Sequence, residues 1–162
     1  MTEGVRLREM TEADWPAVAA IWAEGIATGN ATFETEPPSW AAFDATRKSE
    51  GRFVAEDGRA VVGWAALSAV SSRPCYAGVA ENSVYVASAA RGRGVGTALM
   101  EALTAAAAAA GIWTIQTSVF PENTASIALH ERAGFRIVGR RERIAELGGV
   151  WRDTLFLELR LP

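Results

Sequence analysis

Residues 83–97 read Ser83-Val84-Tyr85-Val86-Ala87-Ser88-Ala89-Ala90-Arg91-Gly92-Arg93-Gly94-Val95-Gly96-Thr97. The stretch opens on a short strand pattern over 83–87 and passes into a basic, glycine-rich loop. A helical run follows over 98–110. This succession suits a polyphosphate. Glycine lets the main chain come close to a ligand. The first N–H groups of a helix lack partners and point at bound anions, and the helix dipole favours negative charge there. Arg91 and Arg93 add charge. The loop is not a P-loop, because no Gly-Lys-Ser/Thr follows. It is a poor dinucleotide fingerprint, because the third glycine spacing is missing and no acidic residue ends the next strand. An ordinary strand-to-helix turn stays open on this loop alone. A second segment, Asn123 through Leu129-His130-Glu131-Arg132-Ala133-Gly134-Phe135, shifts the balance.

Outward from that loop, the chain alternates between helical and strand patterns. Val5-Arg6-Leu7-Arg8 alternates as a strand. Thr11 caps a helix whose apolar side carries Val18, Ile21, Trp22 and Ile26, and Gly29-Asn30 stops it. Residues 31–36 are polar and irregular before Pro37-Pro38. Ser39 can cap a second helix through Trp40, Phe43 and Arg47. Strands over 53–55 and 60–67 meet at the hairpin signal Asp57-Gly58. A loop over 68–74 leads to the strand ending at Val86. Gly111 ends the alanine-rich helix, and 112–119 reads as a buried strand. Pro121-Glu122-Asn123 opens a helix that Gly134 closes. Strands over 135–138 and 154–161 come last, with a turn at Gly148-Gly149. The order is mixed α/β with hairpins, not the strict alternation of a doubly wound fold.

The length of 162 residues fits one domain, 1–162, with a full core. A net charge of −3 argues against general nucleic-acid binding, since no broad basic field exists. The run Arg140-Arg141-Glu142-Arg143 reads as a solvated surface. One cysteine, Cys75, rules out an internal disulfide and fits a reducing compartment, so a cytoplasmic location is expected. The N-terminus, Met1-Thr2-Glu3-Gly4-Val5-Arg6, shows no signal peptide. No apolar run is long enough for a membrane helix. With one histidine and one cysteine, no metal site is expected.

The two segments together resemble the GNAT superfamily of acetyl-CoA-dependent N-acetyltransferases. The family's loop pattern, Arg/Gln-x-x-Gly-x-Gly/Ala, is matched by Arg91, Gly94 and Gly96. Its later segment is matched by Asn123, Ser126, Leu129, Glu131, Gly134 and Phe135, with His130 where most members carry Tyr. The string Glu81-Asn82-Ser83-Val84-Tyr85-Val86 and the ending Gly149-Val150-Trp151-Arg152-Asp153 are similar to the phosphinothricin and methionine-sulfoximine acetyltransferases. Those relatives usually carry a polar residue where this chain has Leu147. The resemblance implies an α/β (α+β) fold: a mixed, mostly antiparallel sheet flanked by helices and splayed at the acetyl-CoA site. It also implies acetyl-CoA as co-substrate, a small-molecule amine as acceptor, and a homodimer.

Acetyl transfer needs a proton taken from the amine, stabilisation of the carbonyl oxygen, and in some cases a proton for the departing sulfur. Glu81 stands at the family position of the general base, and apolar Val79 and Val84 beside it suit that task. By residue type alone it is more often a surface or salt-bridged glutamate, and the family position reverses that reading. A backbone N–H near Val86 could serve the oxygen, and main-chain groups of Val84, Tyr85 and Val86 the pantetheine arm. Arg91, Gly92, Arg93, Gly94, Val95, Gly96 and Thr97 would hold the phosphates, and Asn123 the arm. His130 is the candidate acid, against a plain helix-surface histidine. Phe33, Arg73, Tyr76 and Trp151 are candidate substrate contacts, with Arg73 placed to bind a carboxylate or simply exposed on its loop. The remaining tryptophans are read as core or interface. The implied reaction is acetylation of a small amino acid or analogue. Peptide N-termini and polyamines are the enzymatic alternatives, and a silent acyl-CoA-binding module is the non-catalytic one, against which Glu81 and His130 argue.

Overall fold

The computed structural model describes residues 4–162. Seven strands form one sheet: β1 (Val5–Glu9), β2 (Phe53–Asp57), β3 (Ala60–Ala69), β4 (Val79–Val86), β5 (Thr114–Val119), β6 (Arg136–Leu147) and β7 (Val150–Arg160). Four α-helices accompany them: α1 (Trp15–Ala27), α2 (Trp40–Thr46), α3 (Val95–Ala109) and α4 (Thr124–Arg132). The strand order is β1-β2-β3-β4-β5-β7-β6. Every pairing is antiparallel except β4 with β5, which α3 connects as a crossover. The expected mixed, mostly antiparallel sheet is therefore present.

Alternation along the strands sends side chains to two separate cores. On one face Ala65, Leu67, Ala80, Ile115 and Leu157 pack under Leu99, Met100 and Leu103 of α3. On the other, Val54, Trp64 and Ala66 pack under Val18, Ile21 and Trp22 of α1 and Phe43 of α2. Tyr85 joins this second face: its ring lies 4.9 Å from Trp64 at an interplanar angle of 7°. Only a glycine allows α1 so near, since a Cβ at Gly25 would come within 2.7 Å of the Tyr85 ring. Thr11 begins a turn of 3-10 helix that runs into α1, and its N–H donates to Asp14 Oδ2 at 2.8 Å. Ser39 caps α2 by accepting from the Ala42 N–H at 3.2 Å.

Two elements depart from the sequence expectation. The glycine-loop helix begins at Val95, inside the loop, so Gly96 and Thr97 form its first turn. The last two strands are much longer than four and eight residues; they form a projecting hairpin of 12 and 11. Most of β6 is exposed, so it shows no apolar alternation to read. Pairing with β7 holds it, with register shifts between Ile137/Gly139 and Arg141/Ala145. At the second irregularity Arg143 takes a φ of 49°, and its N–H donates to Asp153 Oδ1 at 2.8 Å. Arg140 ion-pairs with the other Asp153 oxygen at 2.6 Å. The aspartate of the Gly-x-Trp-x-Asp string thus braces the hairpin.

Candidate active site

Strands β4 and β5 run side by side only briefly. Val79, Ala80 and Glu81 pair with Thr114, Ile115 and Gln116, and then the strands diverge. Beyond Glu81, β4 stays bonded to β3 on one edge up to Val86. The Ala87 N–H donates to the Val62 carbonyl at 2.8 Å, on the β3 side. Alternate residues of a strand direct their polar main-chain groups to opposite edges, so those of Asn82, Val84 and Val86 face the open wedge. A cavity of about 780 Å³ fills that wedge.

One half of the cavity offers main-chain donors without helical partners and an unpaired strand edge. Ala98 makes the first main-chain bond of α3, to Gly94, which leaves the N–H groups of Val95, Gly96 and Thr97 ahead of any helical acceptor. All three residues line the cavity, as do Arg91, Gly92 and Gly94. Gly94 has a φ of 77°, a left-handed conformation that turns the loop into the helix and that a side chain would strain. The unpaired edge of β4 runs from this helix end to Glu81. Asn123 stands at the N-terminus of α4, where its Oδ1 accepts the Ser126 N–H at 3.2 Å.

The other half is polar and aromatic. Glu81, Ser83 and Tyr85 project from the face of β4 that carries the α1 core, and all three line the cavity. Glu81 is exposed to the cavity rather than enclosed by Val79 and Val84. Burial pushes the Tyr85 phenol up to about 12, opposed by a hydrogen bond from Thr32. The α1–α2 loop forms a roof through Asn30, Ala31, Thr32, Phe33 and Glu34. Phe33 meets Phe120 edge to face at 4.8 Å. Arg47 lies over the rings of Phe43 and Trp22, at 5.3 and 5.7 Å. Burial lowers its pKa, against the attraction of Glu34, Glu81 and Tyr85.

His130 sits between the halves. It is 4% exposed, and its ring stands edge to face with Phe135. Nδ1 lies 2.7 Å from the Ser126 carbonyl oxygen, which can only accept, so Nδ1 carries the proton. Nε2 lies 3.0 Å from Asn82 Nδ2 and accepts from it. Burial lowers the imidazole pKa, and the bond to the Ser126 carbonyl opposes that shift. The resident form is the neutral ring, with its free lone pair already engaged.

A splayed β4–β5 pair, a glycine turn into a helix and a second helix across the wedge together frame the site. The sequence model of the acetyltransferase (GNAT) family matches residues 7–135. The chain belongs to the GNAT family. The L-methionine sulfoximine/L-methionine sulfone acetyltransferase of Pseudomonas aeruginosa is 32% identical over 161 residues, covering 96% of this chain and 94% of that protein. The phosphinothricin N-acetyltransferase of Alcaligenes faecalis is 33% identical over 159 residues, covering 94% of this chain and 80% of its own. Among solved structures, a GNAT phosphinothricin acetyltransferase from Sinorhizobium meliloti in complex with acetyl-CoA superposes with a TM-score of 0.87 at 33% identity, covering 98% of this chain and 89% of that one.

This GNAT enzyme is an acetyl-CoA-dependent N-acetyltransferase. The residues present fit the co-substrate: free N–H groups on α3 for phosphate, and an unpaired strand edge for the amide arm. The cavity brings together Phe33, Glu81, Val84, Tyr85, Val86, Arg91, Gly92, Gly94, Val95, Gly96, Thr97, Asn123 and His130. Tyr85 contributes its ring, because its main-chain groups face β3. The cavity does not include four other expected residues. Arg93 is drawn aside into an ion pair with Asp57 at 2.8 Å. Arg73 and Tyr76 stand together on an exposed loop outside the cavity, the guanidinium 5.6 Å from the ring centroid. Trp151 is 54% exposed on the projecting hairpin. Leu147 is also at the tip of that hairpin, away from the cavity lining. Sequence reasoning missed Asn82, Arg132, Thr154 and the roof residue Asn30, all in the lining. No local rule places Thr154, since parity from the expected Trp151 points to the opposite face of β7. Only the fold could reveal that Asn82 meets His130.

Proposed function

We propose that the enzyme acetylates the amine of a small amino acid or analogue, of the phosphinothricin, methionine sulfoximine or methionine sulfone type, with Glu81 as general base. The observation that carries this reading is the position of Glu81. It is the last β4 residue paired to β5, where the donor half of the cavity meets the aromatic half. Acetyl-CoA supplies the acetyl group as a thioester. Glu81 takes a proton from the amine, directly or through a water, so that the nitrogen lone pair is free to attack. The main-chain groups of Val84 and Val86 facing the wedge align the arm, and a donor there steadies the carbonyl oxygen. His130 serves as acid only if a proton reaches Nε2. The Asn82 amide must then turn its oxygen to that nitrogen, so donation to sulfur and the observed contact are alternatives.

The relatives' named substrates support this acceptor class. One observation favours a polyamine instead: Glu34, Glu81 and Glu122 all border the cavity. A thiol-release assay with acetyl-CoA decides between them. The panel should hold phosphinothricin, methionine sulfoximine, methionine sulfone, aromatic amino acids, polyamines and short peptides. Turnover confined to the amino acids and analogues supports the reading; turnover confined to polyamines or peptides overturns it. We also infer a homodimer. The outer edge of β6 is the end of the sheet, and Ile137, Val138, Ile144, Val150 and Trp151 are exposed on the hairpin.

A further inference from the structure

The Gly-x-Trp-x-Asp string contains a residue whose contacts reach further into the site than those of its tryptophan. Arg152 and Trp151 are neighbours on β7, so they face opposite ways. Trp151 is exposed, while Arg152 turns under the roof loop. Its NH1 donates to the Gly29 carbonyl at 2.9 Å, and its NH2 to Asn30 Oδ1 at 2.7 Å and Glu122 Oε2 at 3.3 Å. The guanidinium plane covers Phe120 at 4.1 Å from the ring centroid. Phe120 in turn holds Phe33 of the roof. Asn123 completes the tie by donating Nδ2 to the Asn30 carbonyl at 3.0 Å.

We propose that Arg152 is a positioning residue for the amine. It fixes residues 29–34 over the face of β4 that carries Glu81. This inference rests on the reading that the aromatic half of the cavity receives the amine. The geometry makes three demands that one planar, five-donor group can meet at once: two acceptors on the roof, a carboxylate beside α4, and an aromatic face. A lysine offers a point charge and meets at most part of that set. Besides this set and the Asn123 tie, the roof is held by short turn bonds of its own and by the hydrogen bond between Thr32 and Tyr85. Residues 28–36 form no helix or strand, and Glu34 is exposed. With the loop released, Phe33 loses its fixed place against Phe120 and the amine loses one wall. The donor half, built on α3 and β4, keeps its own supports.

The test compares wild type with Arg152→Lys, Arg152→Met and Asn30→Ala. Steady-state kinetics are measured with acetyl-CoA and the best amine of the panel, and amide hydrogen exchange across 28–36. All three variants should raise KM for the amine at least tenfold, leave kcat and KM for acetyl-CoA within threefold, and speed exchange at 29–34 at least tenfold. An unchanged amine KM, an unchanged exchange rate, or an equal rise in KM for acetyl-CoA would overturn the assignment. Should Arg152→Met fail to fold, Arg152→Lys decides, because it keeps the charge and the aliphatic stem and removes only the planar fork. Should wild type acetylate no amine on the panel, the proposed acceptor class fails, and hydrogen exchange alone decides the role of Arg152.

Discussion

His130 is the only histidine in the chain, so its protonation can be read from stability without interference from another imidazole. Its folded pKa lies below the usual value because burial penalises the charge. The unfolded chain, with a pKa of about 6.5, therefore binds more protons than the folded one as pH falls. Stability from this group is complete above about pH 6.5 and declines below it, down to the folded pKa. The largest possible loss is about 1.4 kcal/mol by pH 5.5, since each decade of proton concentration is worth about that much. Asp14, held low by its hydrogen bond to Arg8, loses its contribution only as pH falls through and below the ordinary carboxylate range. Glu56 and Asp153, also held low by hydrogen bonds to arginines, follow the same course, so urea unfolding between pH 7.5 and about 5.5 reports chiefly the histidine. Wild type should lose stability across this interval, and His130→Gln should be nearly flat. Asn82→Asp should reverse the trend, because a carboxylate 3.0 Å from Nε2 would invite the proton that the amide does not. Parallel curves for wild type and His130→Gln would refute the argument, since they would mean that the folded protein accepts the proton as readily as the unfolded chain.

Glu81→Gln keeps the shape of the side chain and removes its basicity, so kcat at neutral pH should fall about a hundredfold. The deficit should narrow as pH rises and the amine loses its own proton; wild-type turnover at pH 7 would transfer the base to another group or to solvent. Gly94→Glu puts a carboxylate at the anion-binding end of α3 and strains a φ of 77°, a backbone cost of about 1–2 kcal/mol that the fold should survive. Calorimetry of the folded variant should detect no acetyl-CoA binding, and undiminished affinity would remove the glycine turn from the site. Light scattering should give wild type twice the chain mass, and Ile137→Glu with Trp151→Glu the mass of one chain; a monomeric wild type would show that the hairpin pairs with nothing of its own kind.

Where burial imposed a period, the sequence could be read. Val18, Ile21 and Trp22 announced α1 because one face of the helix is buried, and Gly94 announced the turn because few other residues adopt its conformation at low cost. The hairpin was half lost because β6 is solvated on both faces, so its pairing rests on main-chain bonds that leave no trace in side-chain type. Asn123 was legible both as a helix cap and as a family position. Its second bond, to Asn30, spans 93 residues of sequence and follows no local rule. The same holds for Asn82 and His130, 48 residues apart. Arg152 was passed over beside a tryptophan, although strand parity says that only one of two adjacent residues can face a given side. Arg93 was read as a phosphate ligand from its charge, and Asp57, its nearer partner, lay in a hairpin whose approach to the loop only the sheet order reveals.

Three residue pairs are all that stitch β4 to β5, so the sheet is two panels, β1-β2-β3-β4 and β5-β7-β6, sharing a short seam. A ligand lying along the open edge of β4 lengthens that seam. Catalysis and mechanical continuity then become one property. Bound in the proposed mode, the co-substrate would act as a removable rib, and each departure of the thiol would partly unstitch the panels. A ligand that binds only the folded protein, at a hundred times its Kd, adds about 2.7 kcal/mol to stability. The cell's acetyl-CoA level would thus set both the rate of this enzyme and the firmness of its centre.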